Sequence, residues 1–152
     1  MSIAWIYLDK KAAAIDALKD YSSMEYIIKN HQEDLEEVQE RLTSIRSSHL
    51  TGMPSAHNPK AGENKLISCI DEIDVLKERY RQALEYMDWF KPAWDALNEE
   101  EQFVLSEFYR IEDARQTDAI GVISDRFHIE RSSAYKKKNR TLERLAILLY
   151  GK

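Results

Sequence analysis

The first third of the chain carries apolar residues at the spacing of an amphipathic helix. Between about Asp9 and Ser48 they follow one another at alternating steps of three and four positions. That spacing is typical of a helix that packs one seam against another helix. The seam consists of Tyr21, Met24, Ile28, His31, Leu35, Val38, Leu42 and Ile45. Because charged residues occupy the other faces, we predict one long helix with a covered seam and a solvated surface.

A loop and a second apolar seam follow. The helical period fails over residues 49–63, which contain two of the four glycines and two of the three prolines, the residues that favour turns. A second seam then runs through Leu66, Cys69, Ile73, Leu76, Tyr80, Ala83, Met87 and Phe90. Two seams joined by one loop predict an antiparallel, coiled-coil-like helical hairpin over residues 1–96. Pairing between chains, as a homodimer through this arm, would satisfy the same pattern, and the sequence leaves both open.

A smaller domain is predicted after the hairpin. Pro92 lacks a backbone amide donor, so we expect it to end or kink the second long helix. Asn98 and Glu101 form a capping-box pattern that begins a new helix, and the acidic residues around them suit its N-terminal dipole. Residues 97–152 then predict three short helices. The expected fold class is all-α, a long hairpin followed by a small three-helix domain.

The last two helices have the composition of a helix-turn-helix. One is predicted from an N-cap at Thr117 to about Phe127, and the other over residues 131–150. The final helix is expected to bury Ala134, Leu142, Leu145, Leu148 and Leu149. Two short helices that cross steeply need small residues where they touch, here Ser124 and Ala134, with the apolar Ile129 in the turn. The N-terminal half of the final helix would then project outward, as in helices that enter the DNA major groove.

The distribution of charge supports that reading. The chain has a formal net charge of −5, but residues 131–152 contain seven lysines and arginines and a single acidic residue, Glu143. An acidic body with a basic end is typical of a protein that contacts nucleic acid through one segment only. We therefore predict double-stranded DNA as the partner of the terminal helix.

The candidate DNA-binding residues all lie in the first two-thirds of the terminal helix. They are Arg131, Ser132, Ser133, Tyr135, Lys136, Lys137, Lys138, Asn139, Arg140 and Arg144. Arginine and asparagine can bond guanine and adenine edges in bidentate fashion, which favours base reading by Arg131 and Asn139. Lys137, Lys138 and the later arginines are predicted to contact phosphates, about five in all, with a log–log salt slope near −4 to −5.

Three segments resemble a known DNA-binding family. Residues 97–105, 122–135 and 142–145 look like the fourth region of bacterial primary sigma factors. The layout of a helical N-terminal part followed by such a helix-turn-helix is similar to phage and prophage regulators of the ArpU and RinA type. The resemblance covers about residues 97–151. It implies a sequence-specific transcription regulator of phage late or packaging genes, and leaves open a contact with RNA polymerase.

Two residues depart from the family pattern. Glu130 stands where the family commonly has serine at the start of the recognition helix, and glutamate is a weaker N-cap. His128 replaces the usual glycine or other small residue of the turn, so we expect it to adopt an unusual backbone angle there. Both departures affect the expected tilt of the recognition helix rather than the motif.

Other classes of protein are less well supported by the sequence. It shows no phosphate-binding glycine loop, no nucleophile beside a base and no metal-ligand spacing, so we expect no enzyme activity, cofactor or metal. The single cysteine, Cys69, indicates a reducing, cytoplasmic setting, and the apolar run Ile3–Leu8 is too short to span a membrane. Two alternatives stay open, a DNA-packaging protein like a terminase small subunit and a helical adaptor that binds only protein.

Overall fold

The fold is built from helices throughout the part that the structure describes. The computed structural model describes residues 8–50, 59–111 and 115–151, and no β-strand occurs among them. The elements are α1 (Lys10–Leu50), α2 (Pro59–Asp95), α3 (Glu99–Leu105), a π-helical turn (Ser106–Arg110), α4 (Gln116–Phe127) and α5 (Arg131–Tyr150). The all-α prediction is therefore confirmed. Within the same residues, none of the helices combines the length and the apolar character that crossing a membrane requires.

The two long helices pack together as the predicted hairpin. Part of the predicted loop 49–63 is helical, because α1 extends to Leu50 and α2 already begins at Pro59. Proline is well tolerated in the first turn of a helix, where its missing amide would have no intrahelical partner. Residues 51–58, the remainder of that loop, lie outside the described residues.

Pro92 does not end α2, which was one of the two outcomes that the sequence predicted for it. The helix continues to Asp95, and the carbonyl of Pro92 itself accepts a hydrogen bond from the amide of Ala96 at 3.1 Å. Phe90 and Trp94, one on each side of the proline, are buried. Their packing stabilises the helical path through a residue that would otherwise interrupt it.

The chain divides into two compact units. Their limits differ from the boundary between residues 96 and 97 that the sequence indicated. The arm unit comprises residues 24–85, and the helix-turn-helix unit comprises residues 1–23 and 86–152. The difference arises because the start of α1 and the end of α2 contribute apolar side chains to the core of the C-terminal helices.

The arm unit is held by a narrow seam between α1 and α2. The ring of His31 stacks on that of Tyr80 with centroids 4.0 Å apart, and Arg41 donates to Glu72 at 2.9 Å. His31 is half-buried, as expected for a histidine that packs its ring. Among the described residues of this unit, the buried side chains are Val38, Cys69 and Ala83. A seam this narrow leaves much of both helices in contact with solvent.

The helix-turn-helix unit has a broader core made from both ends of the chain. Tyr86 of α2 donates to the carbonyl of Ala17 in α1, and burial raises the pKa of its phenol. The buried cluster joins α1, α2 and α5 through Ala14, Leu18, Phe90, Trp94, Leu142, Leu145 and Leu149. Burial of eight or more large apolar side chains at about 1.5–3 kcal/mol each is the main force that fixes these helices together.

One predicted core residue of α5 is on the surface. Leu148 is 41% exposed, whereas Ala146 and Tyr150 are buried in its place. Leu148 lies about 100° around the helix from Leu149, which faces the core. Helical spacing alone predicted too broad an apolar stripe on α5. Which of its residues are buried depends on where α1 and α2 pack against it.

Candidate nucleic-acid interface

The turn between α4 and α5 has the backbone geometry of a tight helix connection. His128 ends α4 in the left-handed conformation, with φ 52° and ψ 47°. Its amide and that of Ile129 both donate to the carbonyl of Ser124. This double capping satisfies orphan groups at the helix end and turns the chain sharply. The expectation of an unusual backbone angle at His128 is confirmed.

Small side chains lie where the two helices meet. Ala134 of α5 is fully buried in a cluster with Ile120 and Ile123 of α4, and Ile129 of the turn packs against the same cluster. The hydroxyl of Ser124 is buried and has no hydrogen-bond partner among the described residues. Ala134 and Ile129 therefore take their expected places, and the predicted contact of Ser124 with α5 stays a prediction.

The helix starts differ from the expectation in one case. α4 begins at Gln116 after an extended Arg115, so Thr117 lies inside the helix and is not its N-cap. α5 begins at Arg131, after Glu130. The side chain of Glu130 makes no capping hydrogen bond, which agrees with the expectation of a weak N-cap. Residues 112–114, which precede α4, lie outside the described residues.

The first half of α5 presents its side chains to solvent. Between positions 131 and 140 only Ala134 is buried, while Lys137 and Lys138 are half-buried. The remaining candidates are exposed: Arg131, Ser132, Ser133, Tyr135, Lys136, Asn139 and Arg140. Seven of the nine predicted site residues between positions 131 and 140 are thus exposed.

Two of the predicted phosphate ligands are instead held by acidic residues of α3. Arg144 donates to Glu101 at 2.6 Å, and Lys137 lies 3.1 Å from Glu100. Lys137 also lies 4.1 Å from the ring centroid of Phe127. Both cations therefore help to fix α5 against α3, and their assignment as phosphate ligands stays a prediction.

Lys138 is also drawn toward the protein. Its ammonium lies over the ring of Phe108 at 4.9 Å and near that of Tyr135 at 5.4 Å. Burial lowers the pKa of the Lys138 amine, and the positive charge of Lys11 lowers it further. The aliphatic stem of this lysine covers apolar surface, so its charge is less available than sequence position indicated.

Three cations of α5 remain unengaged. Within the described residues, Arg131, Lys136 and Arg140 take part in no ion pair or side-chain hydrogen bond. Lys136 and Arg140 line an open groove of about 620 Å³ between the start of α3 and α5. Glu100 and Glu101 line the same groove, and their charge opposes a bound anion there. The free cations therefore favour a ligand that approaches from outside α5 rather than one enclosed in the groove.

Lys11 contributes to the electrostatics of α5, which the sequence did not reveal. Its ammonium lies 3.9 Å from the carboxylate of Glu143, the one acidic residue of α5. Glu143 follows Lys136 by seven residues and so shares its side of the helix. Lys11 therefore offsets a negative charge that would face a polyanion. Only the fold brings these two positions together, since 132 residues separate them in the chain.

The described residues contain no candidate metal site. Across residues 8–50, 59–111 and 115–151 there is no group of three or more histidines, cysteines, aspartates or glutamates placed to hold a metal ion. Cys69 is a buried free thiol in the arm unit. The exposed first half of α5, with its three unpaired cations, is the candidate interface.

Comparison with known proteins gives no relative from which a role could be transferred. No protein-family model, no curated protein and no solved structure matches this chain. The resemblance of residues 97–151 to sigma-like phage regulators therefore stays a prediction, and the function has to be argued from the geometry.

Proposed function

We propose that this protein binds double-stranded DNA by inserting the first half of α5 into the major groove, and that it acts as a sequence-specific transcription regulator. The observation that carries the proposal is the exposed first half of α5, which carries three unpaired cations and follows the sharp turn at His128. An α-helix with its side chains is about 10–12 Å across, which matches the roughly 12 Å width of the major groove.

The roles that we propose for the residues of α5 follow from their exposure to solvent. Arg131 and Asn139 carry the groups that can pair with guanine and adenine edges, and both are exposed. Lys136 and Arg140 supply charge for phosphates. Lys137 and Arg144, paired with α3, act as positioning residues that hold the tilt of the helix.

The number of free cations sets the expected salt dependence. With Arg131 assigned to a base edge, the other two unpaired cations, Lys136 and Arg140, correspond to about two phosphate contacts, and hence to a log–log salt slope near −2. This is shallower than the slope expected when every cation of α5 is counted. The revised value follows from the ion pairs to Glu100 and Glu101.

The biological role that we propose draws on the resemblance of residues 97–151 to ArpU- and RinA-type regulators. It is control of phage late or packaging genes. A contact with RNA polymerase would be consistent with the sigma-like layout. A DNA-packaging role like that of a terminase small subunit shares the helix-turn-helix but predicts a ring-like oligomer.

The test is a fluorescence anisotropy titration of labelled duplexes over a range of salt concentrations. Duplexes enriched from a random pool provide the specific sites. We expect Arg131→Ala to weaken binding to the enriched site by about 1–3 kcal/mol and to relax base preference. Lys136→Ala and Arg140→Ala should weaken binding to all duplexes and each flatten the salt slope by about 0.9.

Matched controls separate the face of α5 from charge in general. Arg79→Ala removes an exposed cation from α2 and should leave the salt slope unchanged. Arg144→Ala removes a cation of α5 that is already paired, and its effect on the slope should be smaller than that of Arg140→Ala. Wild-type salt slopes in the Lys136 and Arg140 variants would refute the assignment of this face. No salt-dependent affinity in the wild type would favour the protein-binding adaptor.

A further inference from the structure

The groove between α3 and α5 has one basic wall and one acidic wall. The α5 wall includes Lys136, Lys137 and Arg140, and the α3 wall includes Glu100 and Glu101. The two carboxylates differ in exposure, because the side chain of Glu100 is 62% exposed and that of Glu101 only 12%. Glu101 is also committed to the capping box of α3. Glu100 therefore presents the more accessible negative charge beside α5.

Glu100 competes with outside anions for Lys137. Its carboxylate lies 3.1 Å from the ammonium of Lys137, which also lies 4.1 Å from the ring centroid of Phe127. The side chain of Lys137 is 30% exposed, so burial alone does not seal its charge from solvent. The neighbouring carboxylate is thus what chiefly withholds this cation from a phosphate.

The unpaired cations of the groove bring a bound phosphate close to Glu100. Lys136 and Arg140 are four positions apart, so they lie on the same side of α5, and both line the groove. Phosphates that contact them would come to the rim opposite Glu100. A groove of about 620 Å³ has a linear dimension of about 9 Å, close to the Debye length of about 8 Å at physiological ionic strength. The charge of Glu100 is therefore only partly screened at that rim.

We propose that Glu100 is a positioning residue that limits the affinity of α5 for DNA of any sequence. It keeps Lys137 paired, so that the wild type gains no phosphate contact from this lysine. The inference rests on the proposed function of α5. Because phosphates are common to every duplex, the effect of Glu100 should not depend on base sequence.

The test is the salt-dependent anisotropy titration of the full chain, with an enriched duplex and an unrelated one. Glu100→Gln should raise the affinity for both duplexes about two- to fivefold. It should also steepen the salt slope by about 0.9, because the released Lys137 gains a phosphate. Lys137→Gln should lower the affinity for both duplexes by a similar factor, because an unpaired Glu100 then faces the phosphates.

The double variant Glu100→Gln with Lys137→Gln separates this inference from direct DNA contact by Lys137. Removing both members of a neutral pair should restore the affinity and the salt slope of the wild type. If Lys137 instead contacts a phosphate in the wild-type complex, the double variant should show a slope flatter than the wild type by about 0.9. That result would overturn the inference.

Glu99→Gln is the matched control for net charge. Glu99 precedes Glu100 in α3, is exposed and lies outside the groove, so this variant should bind both duplexes like the wild type. Equal gains in the Glu99 and Glu100 variants would show an effect of net charge alone. A gain confined to the enriched duplex would show that Glu100 acts on bases. Either result contradicts the inference, and helical content by circular dichroism verifies that each variant is folded.

Failure of the inference can be told apart from failure of the proposed function. A wild type without salt-dependent affinity for duplex DNA overturns both. A wild type that binds with a slope near −2, together with a Glu100→Gln variant of unchanged affinity and slope, overturns the role of Glu100 alone.

Discussion

Replacing Glu101 with alanine should destabilise the helix-turn-helix unit far more than the same change at its neighbour Glu100. The Glu101 carboxylate accepts a hydrogen bond from the amide of Asn98 at 3.3 Å and one from Arg144 at 2.6 Å. Its side chain is 12% exposed, whereas that of Glu100 is 62% exposed and has Lys137 as its partner. One carboxylate therefore closes the capping box of α3 and holds α5 against it.

The magnitude follows from these two contacts. Loss of a capping interaction costs about 0.5–2 kcal/mol, typically about 1 kcal/mol. A hydrogen bond to a charged group contributes about 1.5–3 kcal/mol when it is sheltered, but Arg144 is 54% exposed, so about 0.5–1 kcal/mol is realistic for that pair. We expect Glu101→Ala to lower the free energy of unfolding by about 1.5–2 kcal/mol, and Glu100→Ala by about 0.5 kcal/mol or less.

Urea unfolding followed by circular dichroism measures both changes, and a double-mutant cycle with Arg144→Ala isolates the ion pair. The coupling between Glu101 and Arg144 should be about 0.5–1 kcal/mol. The loss that remains in the Arg144→Ala background then reports the capping box. Equal destabilisation by Glu100→Ala and Glu101→Ala, or a coupling near zero, would refute the assignment of a double role to Glu101.

Three further changes test individual features of the unit. Ser124→Ala removes a buried hydroxyl that has no partner among the described residues, so stability should stay equal or rise by about 0.5–1 kcal/mol, and a loss beyond that would reveal a partner. His128→Gly replaces a histidine in the left-handed conformation by glycine, which adopts it without steric cost, so the melting temperature should rise. A lower melting temperature would show that the imidazole contributes to stability. Burial raises the folded-state pKa of Tyr86 above its ordinary value near 10. Stability from that residue is therefore present below about pH 10 and lost as pH rises above it, so Tyr86→Phe should flatten the alkaline loss seen by thermal melting.

The local features of the fold could be predicted because each depends on residues close in the chain. The capping box joins Asn98 to Glu101 three positions away, and both of its hydrogen bonds are present. The limits of α5 at Arg131 and Tyr150 likewise follow from a turn before it and a glycine after it. Heptad spacing was sufficient for the two seams of the hairpin, since a helix with an apolar stripe must cover it.

The features that escaped prediction depend on contacts between distant positions. Lys137 and Glu100 are 37 residues apart, and Arg144 and Glu101 are 43 apart, so no local pattern shows that they pair. The continuation of α2 through Pro92 depends in the same way on neighbouring aromatic residues that pack against α1 and α5. Which cations of α5 are free is a tertiary property, whereas their presence on the helix is a local one.

These pairings bear on how a chain of net charge −5 could bind a polyanion. With Lys137 and Arg144 neutralised by α3, and Lys138 partly buried, α5 offers three unpaired cations and therefore modest non-specific affinity for DNA. Base contacts would then supply a large share of the binding energy, which favours specificity over general attraction to phosphate.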